Sequence, residues 1–227
     1  MANAALVTGG SSGIGFAIAR MLRDEGFELT LAARTQERLE RAADELGAAA
    51  VVTDVSKEDE CERLVAAHRE RFGRLDVLVN CAGMGIAGGI ESISTKHWDL
   101  QFAVNVRGAF IVTHQGIPLL KQSHGLVVNI ASIAGTRAAR APGLAAYDAA
   151  KAALIAFTHS LNVELAGDGV RATVICPGFV DTPMAAWTGM PSEQMIQPED
   201  CAEVVRALLR LSPAARIPQV VIERLGS

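Results

Sequence analysis

The sequence predicts an α/β fold, a doubly wound and mostly parallel sheet of about seven strands with helices on both faces. Three observations predict it. Short apolar runs alternate with longer amphipathic segments along the whole chain. The apolar runs are bounded by Gly or Asn and joined by helices, which implies right-handed βαβ crossovers. A glycine cluster follows the first run and opens the first helix.

In chain order, AALVT is the first strand and the segment from about Gly13 to Glu25 the first helix. ELTLAA follows as an apolar run, then an amphipathic helix over Gln36 to Leu46. AAVVT precedes a helix near Lys57 to Phe72. LDVLVN leads through a loop into one long helix around Lys96 to Gln122. GLVVNIAS precedes the helix YDAAKAALIAFTHSLNVELA, and RATVICPG and IPQVVIE complete the seven strands. Ligands on such sheets bind beyond the carboxyl ends of the strands, so the residues closing each strand are the candidates for chemistry.

Composition narrows the choices. At 227 residues, with half of them hydrophobic, few aromatics and no low-complexity linker, one domain over 1–227 is expected. The net charge is -4, and the basic residues are scattered among acidic ones, which argues against nucleic acid as a partner. The N-terminus MANAALVTGG lacks a signal-like charged region and apolar stretch, and no long apolar run follows. A cytoplasmic protein without membrane contact is expected. Cys61, Cys81, Cys176 and Cys201 form no CxxC and share no ligand spacing with the histidines, so they read as reduced packing residues and no metal site is expected.

The first chemical motif is Thr8-Gly9-Gly10-Ser11-Ser12-Gly13-Ile14-Gly15, between strand and helix. Glycines let the backbone turn tightly and approach a pyrophosphate, while the helix N-terminus offers unpaired N–H groups and a positive dipole end. The spacing is TGxxxGxG, not GxGxxG. A dinucleotide site selective for NAD places an acid about 20 residues past the glycine loop. Here that region reads Leu31-Ala32-Ala33-Arg34-Thr35, with no acid before Glu37. Arg34 can instead offer a guanidinium fork to a 2′-phosphate, so NADP(H) is the expected cofactor and NAD(H) the alternative.

The second motif is Tyr147, the sole tyrosine, with Lys151 four residues later. On a helix the two share a face, so the ammonium lies beside the phenol. A nearby cation would pull the phenol down from its ordinary value near ~10, towards the range of acid and base catalysis.

TGxxxGxG, Asn80-Cys81-Ala82-Gly83 after the fourth strand, Asn105, Ser132, the YxxxK pair and Pro177-Gly178 occur in an order and at intervals that resemble the short-chain dehydrogenase/reductase family over essentially the whole chain. The resemblance implies a single-domain Rossmann-type oxidoreductase that moves a hydride between nicotinamide and a small carbonyl or secondary-alcohol substrate. Similar bacterial sequences often carry the name 3-oxoacyl-carrier-protein reductase, a name that follows the fold more than the substrate. It implies that Tyr147 is the acid and base, that Ser132 hydrogen-bonds the substrate oxygen, that Asn105 holds a water in a relay with Lys151, and that Lys151 also holds the nicotinamide ribose. Gly9, Ser11, Ser12, Gly13, Ile14 and Gly15 would cradle the pyrophosphate. Asp54 with Val55 would meet the adenine, and Asn80, Ala82 and Gly83 would flank the adenosine ribose. Pro177, Gly178, Val180 and Thr182 would face the nicotinamide, the last two reaching its carboxamide. Plainer roles stand beside these: Asn80 and Asn105 satisfying backbone groups, Asp54 capping the helix near Ser56, Ser132 and Pro177-Gly178 forming turns.

The chain departs from the family pattern in three places. Ser132 and Tyr147 stand fifteen positions apart, roughly two more than in most relatives, and the extra length in TRAARAP should bulge from the loop. Ala150 stands where a serine is common, and Asp148 should point off the Tyr147/Lys151 face. The alternative function is a catalytically silent, dinucleotide-binding sensor or regulator. Its signature would be a damaged catalytic set, and all four residues are intact. The helices around His97 to Gln122 and Tyr147 to Ala166 are apolar over much of their circumference, so a homotetramer is expected, with a dimer second. PMAAWTGMPSEQMIQ resembles a short substrate lid whose Trp187, Met190 and Met195 either form an apolar wall or pack on the core.

Overall fold

The computed structural model describes residues 2–136 and 142–225. Seven parallel strands are present: β1 (Ala4–Thr8), β2 (Glu28–Ala33), β3 (Ala49–Val52), β4 (Val77–Asn80), β5 (Leu126–Ile130), β6 (Arg171–Pro177) and β7 (Gln219–Ile222). The helices are α1 (Gly13–Asp24), α2 (Gln36–Leu46), α3 (Glu58–Phe72), α4 (Thr95–Phe102), α5 (Gly108–Ser123), α6 (Ala145–Glu164) and α7 (Pro198–Leu209). The sheet order is β3-β2-β1-β4-β5-β6-β7, so chain direction across the sheet reverses between β1 and β4. That reversal opens a crevice at the carboxyl ends of the strands.

Strand composition explains the layering. Neighbouring side chains on a strand face opposite sides, and here both sides are apolar. Val77 and Val79 of β4 and Val128 of β5 join α1, α2 and α7 in one cluster, while Leu78 and Val127 join α3, α5 and α6 in the other. Each fully buried Leu or Val contributes about 1.5–3 kcal/mol. Between these layers runs a buried polar ladder. Asn80 Nδ2 donates to Asn129 Oδ1 (2.8 Å) and to Thr113 Oγ1 (3.0 Å), and Asn129 Nδ2 donates to Thr158 Oγ1 (2.8 Å).

The long helix expected around Lys96 to Gln122 is not continuous. A π turn over Ala103–Arg107 separates α4 from α5. The extra residue in that turn coincides with Asn105, whose side chain reaches out to a neighbouring backbone instead of lying along the helix. Most of the TRAARAP stretch, 137–141, lies outside the described residues. Among the described residues no helix is long and apolar enough to cross a membrane.

Candidate active site

Two glycines build the loop after β1. Gly9 adopts a positive φ of 68°, and a Cβ there would lie 2.8 Å from the Ala82 nitrogen. A Cβ on Gly15 would stand 2.3 Å from the Gly9 carbonyl oxygen, so α1 can start this close to the turn only without a side chain. Ser12 is the N-cap, yet its hydroxyl makes no capping bond. The Thr8 hydroxyl accepts from Cys81 N and Ala82 N, both at 3.2 Å, and ties the turn after β4 to the turn after β1. Gly13 lies against Thr182, where a Cβ would meet Thr182 Cγ2 at 2.9 Å. The loop, Ala82, Gly83 and Thr182 therefore surround one crevice.

Arg34 is exposed directly after β2; burial works to raise the Asp54 carboxyl, but hydrogen bonds from Ser56 and then the Arg34 charge hold it below its ordinary value. The same Asp54 carboxylate accepts from Ser56 N (3.0 Å) and Ser56 Oγ (2.7 Å), which closes the turn before α3. Val55 is buried against Gly108. Asn80 turns its amide into the polar ladder, so its side chain is engaged inside the sheet. Pro177 ends β6, and Gly178 N donates to Ile222 O (2.9 Å). Val180 is buried and pairs with Ile196, bringing the segment after β6 back over the crevice.

Ser132 leaves β5 and Tyr147 lies in the first turn of α6, close enough for the Ser132 hydroxyl to act on the phenol. Lys151 Nζ stands over the Tyr147 ring, 5.6 Å from its centroid, and donates to Ile130 O at 2.9 Å. The helical spacing thus gathers Tyr147 and Lys151 beside the end of β5. A Cβ on Gly135 would come within 2.6 Å of the Lys151 carbonyl carbon, so the turn after Ser132 can pack directly on α6.

The electrostatics differ from the simple expectation of a phenol lowered by Lys151. Burial pushes the Tyr147 phenol above its ordinary value, the Ser132 hydrogen bond works against that rise, and the Asp148 carboxylate adds to it. Asp148 is thus near enough for its charge to be felt at the phenol. The ammonium is anchored by Ile130 over the ring face, and burial draws Lys151 itself down to about 8. Two cysteines read as packing residues flank this lysine. Burial pushes the Cys81 and Cys176 thiols up to about 12 and about 11, and the Lys151 charge works against the rise in both. Their type gave no sign of this placement, since a lone buried cysteine is usually inert.

Asn105 uses both ends of its amide on one residue: Met84 N donates to Oδ1 (3.0 Å) and Nδ2 donates to Met84 O (2.8 Å). At the outer rim, Trp187 is 74% exposed and packs edge-on to Phe179, so it is not a core residue.

The chain matches the short chain dehydrogenase family over residues 3–190. An uncharacterized oxidoreductase of Staphylococcus aureus is 35% identical over 222 residues, spanning 96% of this chain and 95% of its own. An alcohol dehydrogenase from the archaeon Thermococcus sibiricus, solved with 5-hydroxy-NADP, superposes with a TM-score of 0.91 at 33% identity, covering 99% of this chain and 97% of its own. A 3-ketoacyl-(acyl-carrier-protein) reductase from Brucella melitensis, solved with NADH, gives 0.89 at 29% identity, covering 97% and 96%. Likeness in sequence and fold along nearly the full length of each protein reflects common descent: the chain belongs to the short chain dehydrogenase family of NAD(P)-dependent oxidoreductases.

Proposed function

We propose that the protein is an NADP(H)-preferring reductase or dehydrogenase acting on a small carbonyl/secondary-alcohol pair, with Tyr147 as acid and base. The observation that carries this reading is the Lys151 ammonium anchored to Ile130 O over the Tyr147 ring, with Ser132 acting on the same phenol, at the carboxyl edge of β5. Nicotinamide, when bound, supplies or receives the hydride. The protein's own residues handle the oxygen. Ser132 orients and polarises the substrate carbonyl, and Tyr147, kept protonated at neutral pH by its buried setting, delivers a proton to that oxygen. In the alcohol direction the same phenol oxygen receives the proton. Lys151 fixes the ring beneath it and presents donors towards the crevice, where it would hold the ribose.

The residues of the crevice fit a dinucleotide. A side chain at Gly9 or Gly15 would strike neighbouring backbone, so the tight turn that brings N–H groups to a pyrophosphate depends on glycine at both positions. Gly13, Ile14, Ser11 and Ser12 complete its rim. Arg34 would take a 2′-phosphate, and Asp54 and Val55 would border the adenine. Ala82 and Gly83 would lie along the ribose, with Pro177, Gly178, Val180 and Thr182 over the nicotinamide. Exposed Phe179, Met184 and Trp187 at the mouth favour an apolar substrate body. A panel of ketones and secondary alcohols with each cofactor tests the function. NADPH-dependent reduction of apolar ketones is expected, and no turnover of any carbonyl or alcohol with either cofactor would refute it.

The assembly follows from a second surface. Phe102, Val106, Phe110 and Phe157 line an apolar depression across α4, α5 and α6, and Phe110 is 48% exposed. A monomer would leave this patch in water, so a second copy is its natural cover and a homotetramer is proposed, with a dimer second. Light scattering should give a multiple of 23.9 kDa, reduced by Phe110→Asp. A monomer at micromolar concentration refutes the assembly.

A further inference from the structure

Gln101 is fully buried on α4, and its amide is committed to one residue of the loop after β4. Ile86 N donates to Gln101 Oε1 (3.0 Å), and Gln101 Nε2 donates to Ile86 O (3.3 Å). Asn105, four residues on, does the same to Met84. Four helical residues rise about 6 Å, and two residues of extended chain advance about 6.6 Å. The two amides therefore engage alternate backbone units of the 84–86 stretch, as a neighbouring strand would. Among the described residues neither Met84 nor Ile86 forms a backbone–backbone hydrogen bond, so the side chains supply this anchoring. Between the two anchors lies Gly85, where a Cβ would stand 3.4 Å from Tyr147 Cδ2 and 3.6 Å from Cε2. Gly83, just before, approaches Lys151 Nζ in the same way, at 3.4 Å.

We propose that Gln101 is a positioning residue for Tyr147: by clamping Ile86 it keeps the Gly85 backbone facing the phenol ring, about one methyl group's width away, and so limits the movement of the ring and its hydroxyl. The proposal rests on the reading of Tyr147 as the proton donor. Asn105 anchors the end nearer Lys151, and Gln101 anchors the end nearer the substrate. Without Gln101 the ring loses the wall behind it, while the glycine loop and Arg34 on the cofactor side are untouched.

Gln101→Met keeps the length of the side chain and removes both hydrogen bonds. In the full-length protein, kcat should fall about ten- to a hundredfold, the range expected for a small misplacement of a reacting group. The dissociation constant for NADPH, read by fluorescence, should stay within about twofold. Adding Gln101→Met to Tyr147→Phe should slow the enzyme no further, because the effect acts through the phenol. Gln101→Glu supplies a second test that does not depend on the methionine variant folding. An ionised glutamate cannot donate to Ile86 O, a protonated one can, and burial raises its pKa. The ratio of variant to wild-type kcat should therefore rise as pH falls. Wild-type kcat in Gln101→Met, an equal loss of NADPH affinity, a further full-sized loss on the Tyr147→Phe background, or a pH-independent ratio for Gln101→Glu would each overturn the proposal. Tyr147→Phe measured alone separates the two ideas: if it turns over normally, the reading of the phenol has failed, and the clamp falls with it.

Discussion

Tyr147→Phe is expected to lower kcat by about 10²- to 10⁴-fold while NADPH still binds. The substitution keeps the ring that Gly85 faces and Lys151 stands over, and removes only the hydroxyl. A phenol at its ordinary value near ~10 is already protonated at neutral pH, and burial keeps Tyr147 so, which leaves its proton available for a carbonyl oxygen. The Ser132 hydroxyl remains and can still polarise the carbonyl, so some turnover should persist. Steady-state kinetics with a reactive ketone, paired with NADPH fluorescence titration, checks both halves. Turnover within tenfold of wild type would remove Tyr147 from the mechanism, and loss of cofactor binding would point to a folding defect.

The double change Ala33→Asp with Arg34→Ala should reverse cofactor choice. Ala33 closes β2 and Arg34 follows it in solvent, beside the crevice and within electrostatic reach of Asp54. Glu37, the nearest following acid, is turned along α2 to Arg41, which keeps it from a ribose hydroxyl. A charge-assisted contact to a 2′-phosphate is worth about 1.5–3 kcal/mol, so wild type should prefer NADPH over NADH by roughly ten- to a hundredfold in kcat/KM. The new aspartate supplies an acceptor for the 2′-hydroxyl and repels the phosphate. A wild-type preference for NADH, or kinetics unmoved by the double change, would overturn the assignment of Arg34 while leaving Tyr147 untouched.

The strands were legible because each is a short apolar run with a turn residue at its end, and the sheet they form is buried on both faces. The glycine loop was legible because tight backbone turns depend on local residues. The Tyr147 and Lys151 face followed from helical spacing alone. What escaped the sequence depends on distant parts of the chain. The π turn exists because Asn105 finds the Met84 backbone, and no local pattern announces it. Gln101 is one polar residue in an apolar stretch, and nothing local points to its partner Ile86, fifteen positions earlier across a loop. The rise in the Tyr147 pKa comes from burial and from Asp148, whereas spacing reveals only the cation. Cys81, just after β4, and Cys176, in β6, reach Lys151 from strands that only the completed sheet brings around it.

The Asn80–Asn129 amide pair also solves an alignment problem. Val77 to Val79 and Leu126 to Val128 present apolar side chains on both faces, so sliding β5 along β4 by two residues would bury nearly the same surface. Only one setting puts the two asparagines opposite each other, as the observed pairing does. Every other setting leaves buried amides unpaired, at about 1–3 kcal/mol for each unmet group. A two-residue slip would carry Ser132 about 6.6 Å along the sheet, away from the hydroxyl of Tyr147. The ladder, remote from solvent and chemistry alike, thus acts as the ruler that sets how far Ser132 projects.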